Sequence, residues 1–197
     1  MGKVLVHATL SLDGFMAGPG VSPEQPMGVG GMPLHEWMFR RPAHEVDAAV
    51  VGEVFADTGA VVLGRRTFDV GVEAWEDTPY PVPSFVLTHE ARPDLPMRSA
   101  AFAFVTGGVD EALRRARAAA GDRDVTLMGG DVSRQFLLAG LVDEIHVQLV
   151  PVLLGAGVRL FDGLAGVRVE LERTRILESP QVTHLRYAVL QAPKGLR

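Results

Sequence analysis

Val61-Val62-Leu63-Gly64-Arg65-Arg66-Thr67-Phe68 is the stretch from which the rest of the chain can be read. Three aliphatic residues in a row predict a buried strand, Gly64 ends it, and a short helix follows from Arg66. The first N–H groups of a helix lack partners and attract anions, and two guanidiniums beside them add charge and two-pronged geometry. Val125-Thr126-Leu127-Met128-Gly129-Gly130-Asp131 repeats the arrangement through a double glycine, which lets a phosphate approach the backbone closely. Asp131 is placed to cap the second helix, its carboxylate turned back onto the helix N–H groups. Open α/β sheets bind ligands at the carboxyl ends of their strands, so two such junctions in one sheet point to a shared anionic ligand.

The pattern continues on both sides. Val4–Leu10 predicts a strand, His44–Ala56 a helix with Val46, Ala49, Val50, Val54 and Phe55 inward, and Gly59–Leu63 a second strand. Phe85–Leu87 and Phe102–Val105 are further strands. Asp110–Ala120 is the clearest helix, with Asp110 as its cap and Gly121 as its stop. Strands at Val125–Met128 and Val142–Val150 enclose a helix that ends at Gly140, and Arg168–Leu177 and Gln181–Leu190 close the chain as two strands around Ser179-Pro180. Strand–helix repeats followed by strands predict an α/β sheet, mostly parallel, with antiparallel strands added at the end. The stretch from Gly14 to Pro33, rich in Gly, Pro and Met, exceeds the usual loop length and reads as a lid or binding loop, or as a floppy insertion.

Composition narrows the chemistry. At 197 residues with 47% hydrophobic and 22% charged residues, the chain is expected to be one domain over 1–197. The absence of cysteine removes disulfides, thiolate metal sites and a cysteine nucleophile. A net charge of −5 disfavours a nucleic-acid partner. The cations are nevertheless all Arg except Lys3 and Lys194, which suits local recognition of phosphate. No apolar run is long enough to span a membrane, and the N-terminus alternates like a strand instead of resembling a signal peptide, so a cytoplasmic protein is expected. His35-Glu36, His44-Glu45 and His89-Glu90 lack a second His four residues on, and no metal site is expected. Walker, nucleophile-elbow and complete G-x-G-x-x-G motifs are absent.

Gly64-Arg65-Arg66-Thr67-Phe68, then Phe85-Val86-Leu87-Thr88-His89, then Met128-Gly129-Gly130 together resemble the cofactor framework of the dihydrofolate reductase-like superfamily. The opening Ala8-Thr9-Leu10-Ser11-Leu12-Asp13-Gly14 is more similar to the C-terminal reductase domain of the riboflavin-biosynthesis deaminase-reductase and its stand-alone bacterial homologues. So are Leu141-Val142-Asp143-Glu144-Ile145, Leu154-Gly155-Ala156-Gly157 and Leu160-Phe161. The resemblance implies a three-layer α/β/α sandwich around a central mixed, mostly parallel sheet of about eight strands. It also implies a homodimer and an NADPH-dependent reductase of 5-amino-6-(5-phosphoribosylamino)uracil or dihydrofolate type, passing hydride to a C=N or C=O of a small heterocycle. By position, Gly64, Arg65, Arg66 and Thr67 would hold cofactor phosphate. Leu87, Thr88 and His89 would line the site by the adenosine 2′-phosphate. Met128, Gly129, Gly130 and Asp131 would run under the pyrophosphate and nicotinamide, and Ala8 and Thr9 would offer backbone groups to the carboxamide. Where dihydrofolate reductase carries a buried carboxylate on its first helix, a gapless count back from Gly64 reaches Ala49, with Asp47 and Glu53 nearby. Asp13, Asp47 and Glu53 are therefore the candidate catalytic carboxylates for proton supply. The competing reading is a non-catalytic nucleotide-binding protein that keeps the pocket.

Overall fold

The computed structural model describes residues 2–164 and 166–191. Its strands are β1 (Val4–Ser11), β2 (Phe15–Ala17), β3 (Thr58–Gly64), β4 (Ser84–Leu87), β5 (Leu95–Pro96), β6 (Ala101–Val105), β7 (Asp124–Met128), β8 (Glu144–Val150), β9 (Val158–Arg159), β10 (Glu170–Glu178) and β11 (Thr183–Gln191). A 3-10 turn (Met32–His35) leads into α1 (Glu36–Phe39), and the other helices are α2 (Glu45–Asp57), α3 (Arg65–Trp75), α4 (Gly108–Ala120) and α5 (Gly130–Leu138).

Nine strands form the central sheet in the order β10-β11-β8-β1-β7-β3-β4-β6-β5. The six strands from β8 to β6 run parallel, while β10 and β11 at one edge and β5 at the other are antiparallel. The expected closing hairpin is present, and the expectation of about eight strands is exceeded by β5. That strand is only two residues long and includes Pro96, too short and too poor in donors to read as a strand.

Alternation along β3 sets the layers. Ala60 and Val62 pack into a core with Leu113 and Ala116 of α4 and Phe136 of α5. Val61 and Leu63 pack the other way, against Phe68 of α3. On that second face a smaller cluster joins Leu34 and Trp37 to Val150, with Val51 of α2 against it. The result is a three-layer α/β/α sandwich.

Three expectations need correction. Asp110 is not the cap of α4; the helix starts earlier, with Gly107 at the cap position, because Gly108 at φ +80 turns the chain in. In α2, Ala49 and Phe55 are exposed while Asp47 and Val50 are buried, so the helix is rotated from the predicted face. The stretch from Gly14 is not a floppy insertion. It contains β2, which pairs with β9, and it is knitted by Gly18 N–H to Met27 O and Val29 N–H to Pro19 O, both 2.8 Å. A Cβ on Gly18 would lie 1.9 Å from the Val29 oxygen, which is why that position tolerates only glycine.

Candidate functional site

In register, Leu63 of β3 faces Met128 of β7, Gly64 faces Leu87 of β4, and Leu87 faces Val105 of β6. Parallel strands therefore end together, and each hands its chain to a loop or helix at the same rim. Val6 of β1 faces Leu127, so Ala8 and Thr9 run on past the end of β7. A cleft of about 1240 Å³ opens along this rim.

Ala8, Thr9 and the Gly64–Thr67 junction line the cleft. So do Leu87, Thr88 and His89, and Met128, Gly129, Gly130 and Asp131. The structure thus brings the whole expected cofactor set to one concavity.

The two junctions touch. Gly129 has φ +97, and a Cβ there would lie 2.4 Å from Thr67 Oγ1. A Cβ on Gly130 would press on the Arg159 carbonyl at 3.2 Å. Neither α3 nor α5 has a side-chain cap: Gly64 and Gly129 stand at the cap positions and leave the first N–H groups open. Asp131 is not the cap expected of it. Its carboxylate is taken by Arg134 and by Gln135 Nε2 (2.9 Å), one turn further along the same helix. That pairing offsets its charge beside the open N–H groups at the start of α5.

The two arginines differ. Arg65 Nε donates to both oxygens of Asp69 at 2.8 Å and its Nη1 to Glu90 Oε2 at 3.0 Å. Arg66 is exposed and has no ion-pair partner among the described residues. Thr88 is buried; its N–H donates to the Val105 carbonyl and its hydroxyl accepts from the Glu90 N–H.

The three candidate carboxylates are not brought to the cleft; none lines it. Asp13 accepts from the Ser11 hydroxyl at 2.6 Å and from the N–H groups of Leu154 (3.1 Å) and Gly155 (2.7 Å). The Ser11 hydroxyl foremost, with the two amides, holds its carboxyl down at about 2, so it stays ionised as a clasp between two loops. Asp47 accepts from His184 Nε2 at 2.9 Å, with both side chains buried. Glu53 takes a two-pronged grip from Arg175 (2.7 and 3.2 Å) and a further bond from Arg186, and the Arg175 bond leads in holding its carboxyl below the usual range. All three are spent on joining elements.

Sequence reasoning missed the polar residues at the β1 end of the cleft. Tyr80 Oη lies 3.3 Å from His7 Nδ1, and His7, His35 and Tyr80 all line the wall. The available signal was His7 itself, a lone imidazole within an otherwise apolar strand. Among the described residues no cluster of three or more His, Asp or Glu could hold a metal ion, and no helix is long and apolar enough to cross a membrane.

The sheet and its flanking helices have the dihydrofolate reductase-like fold. Within it, the chain belongs to the RibD C-terminal domain family, whose profile matches residues 2–185. A candidate riboflavin biosynthesis protein of Shewanella sp. PV-4 superposes with TM-score 0.75 at 24% identity, over 96% of this chain and 99% of the other. Dihydrofolate reductase of Enterococcus faecalis, in complex with NADP(H), gives 0.60 at 13% identity, over 96% and 98%. The diaminohydroxyphosphoribosylaminopyrimidine deaminase/5-amino-6-(5-phosphoribosylamino)uracil reductase of Thermotoga maritima gives 0.66 at 14% identity, over 95% of this chain and 56% of that one. At these identities the likeness is one of fold. No curated protein matches the chain.

Proposed function

We propose that the chain is an NADPH-dependent reductase of the riboflavin and folate type, acting on a C=N or C=O of a small ring compound. One observation carries the reading: two uncapped helix starts, packed against each other at Gly129 and Thr67, face one cleft beside the Arg66 guanidinium, which is unpaired among the described residues. Open N–H groups at two converging helix ends suit a pyrophosphate, and a free Arg suits a further phosphate.

Bound there, the coenzyme would supply a hydride; the chain supplies position and exclusion of water. The N–H groups of Arg65, Arg66 and Thr67 would hold phosphate from the α3 side, and those after Gly129 and Gly130 from the α5 side. Arg66 would pair with the 2′-phosphate, beside Thr88 and His89. Ala8 and Thr9 would present backbone groups to the carboxamide where β1 overhangs β7. Leu87 and Met128 would give the floor its apolar contacts. Asp13, Asp47 and Glu53 would act as fasteners, with the proton drawn from the cleft instead.

The reading includes a cytoplasmic homodimer. The β10 edge, where Leu171 and Ile176 are about two-fifths exposed, would supply the contact, and sedimentation as a monomer would remove that part. The central test is stopped-flow oxidation of NADPH against pterins, pyrimidinones and quinones. Turnover with one class is expected. Coenzyme binding without oxidation across the panel would make the chain a nucleotide-binding protein instead.

A further inference from the structure

The wall of the cleft is divided by charge. Its Asp, Glu and Arg residues follow β3, β4 or β7 in the chain, or lie on or after β9, whose Arg159 stacks on Phe15 of β2. The β1 end is built by β1, the segment from β2 to α1, the end of α2 and the stretch from Val70 to Tyr80, and none of these contributes an Asp, Glu, Lys or Arg. The acidic residues of α2 that could have reached it, Asp47 and Glu53, are bound to His184 and to Arg175 and Arg186. The two imidazoles there are neutral at pH 7: burial, with His146 and Arg186 adding, pushes His7 down to about 3, and burial lowers His35. Phe39 and Phe55 stand at this end with 66% and 46% of their surfaces exposed, and Met38 lies beside them.

Resting on the reading of the cleft as a reductase site, we propose that its β1 end seats an uncharged, planar ring compound with a carbonyl oxygen, and that the Tyr80 hydroxyl, oriented by His7, donates a hydrogen bond to that oxygen. A protonated pterin needs a carboxylate, and none lines this end; a phosphorylated ribosylaminopyrimidine needs a free cation, and the guanidinium beside it, Arg159, is held over the Phe15 ring (4.1 Å) and by the Asp13 carbonyl (2.7 Å). Apolar rings at the mouth and methionine beside them suit a flat, uncharged ligand. His7 Nε2 is enclosed and has no hydrogen-bond partner among the described residues. Near the positive Arg186 it is better left as a lone pair than as an N–H, which sets the proton on Nδ1. Nδ1–H then donates to the Tyr80 oxygen, and the phenolic hydrogen is left for the ligand. Burial pushes the Tyr80 phenol up to about 12, so it keeps that hydrogen at neutral pH.

The test is calorimetric titration with 2-methyl-1,4-naphthoquinone, with 7,8-dihydrofolate and with 5-amino-6-(5-phosphoribosylamino)uracil, each with and without NADP⁺, which prevents turnover. Without cysteine the chain forms no thiol adduct with the quinone. The quinone is expected to bind at least tenfold more tightly than either charged compound. Tyr80→Phe is expected to weaken it roughly 2- to 10-fold, the range for one neutral hydrogen bond. Phe39→Ser, on an exposed ring that the fold does not need, is expected to weaken it several-fold even where Tyr80→Phe fails to fold. Tighter or equal binding of either charged compound, or full quinone affinity in Tyr80→Phe, overturns the proposal. If NADP⁺ binds and the quinone does not, this proposal alone falls. If NADP⁺ does not bind, the reductase reading falls, and the quinone titration of the chain alone still decides the nature of this end.

Discussion

Arg65 and Arg66 are adjacent in sequence and opposite in state. Arg65 is spent on Asp69 and Glu90, whereas Arg66 is exposed and unpaired among the described residues. If Arg66 meets the 2′-phosphate, Arg66→Ala is expected to cost about 1.5–3 kcal/mol of NADPH binding, the range for a charged hydrogen bond, and to change NADH binding far less. Calorimetry with both coenzymes checks this, and equal losses would assign Arg66 elsewhere. Asp47 supplies the second test at this scale. It is buried against His184, so Asp47→Ala is expected to lower stability by about 2–3 kcal/mol in urea while leaving coenzyme affinity of the folded protein unchanged. A variant of normal stability with lost turnover would return Asp47 to catalysis. The glycines, arginines and threonine of the two junctions were legible in the chain because their types have few other uses at a strand-to-helix turn. The carboxylates were not: an Asp or Glu reads the same whether it faces a cleft or a partner more than a hundred residues away, as Asp47 and Glu53 do.

The elements that make the site are the two strand–helix turns, and Gly129 couples them. Alanine there would strain a backbone at φ +97 and drive its Cβ to 2.4 Å from Thr67 Oγ1. Gly129→Ala is expected to cost about 1–3 kcal/mol of stability and at least tenfold in NADPH affinity, measured by urea unfolding and calorimetry. An unaltered affinity would show that the turns act separately. Elements with strong period or strong punctuation, β3, α4 and β7, could be read from the chain to within two residues or so. Helix α2 could be located but not oriented. It packs over a polar stretch of sheet, where His7, His146 and Arg186 form one cross-strand row and Gln148 and His184 the next. Its inward face therefore includes Asp47, against the rule that apolar residues mark the buried side. β5 and β9 are two-residue strands defined by their partners, which local pattern does not carry.

The molecule as a whole holds imidazoles that its fold keeps uncharged. His7 titrates at about 3 against an ordinary value near 6.5, with burial as the main cause, and His35 and His146 move the same way. Above about pH 6.5 neither the folded nor the unfolded chain protonates them, so they add no pH dependence. Below it the unfolded chain takes up protons that the folded chain refuses, and stability falls as pH drops; for His7 the loss runs on toward pH 3, by up to about 1.4 kcal/mol per pH unit. Asp13 and Asp77, both held at about 2, act lower down: what they contribute is present above about 4 and is lost as pH falls toward 2. The urea midpoint is therefore expected to be lower at about pH 5 than at about pH 7.5, and His7→Gln is expected to flatten that difference. A midpoint that does not move would mean that these imidazoles are open to protons in the folded state. The most direct measurement on the account as a whole is calorimetric titration of folded protein with NADPH. One coenzyme per chain is expected, with affinity that weakens as salt is raised because phosphates meet a guanidinium and two helix ends. No heat with NADPH, NADP⁺, NADH or NAD⁺ would contradict it.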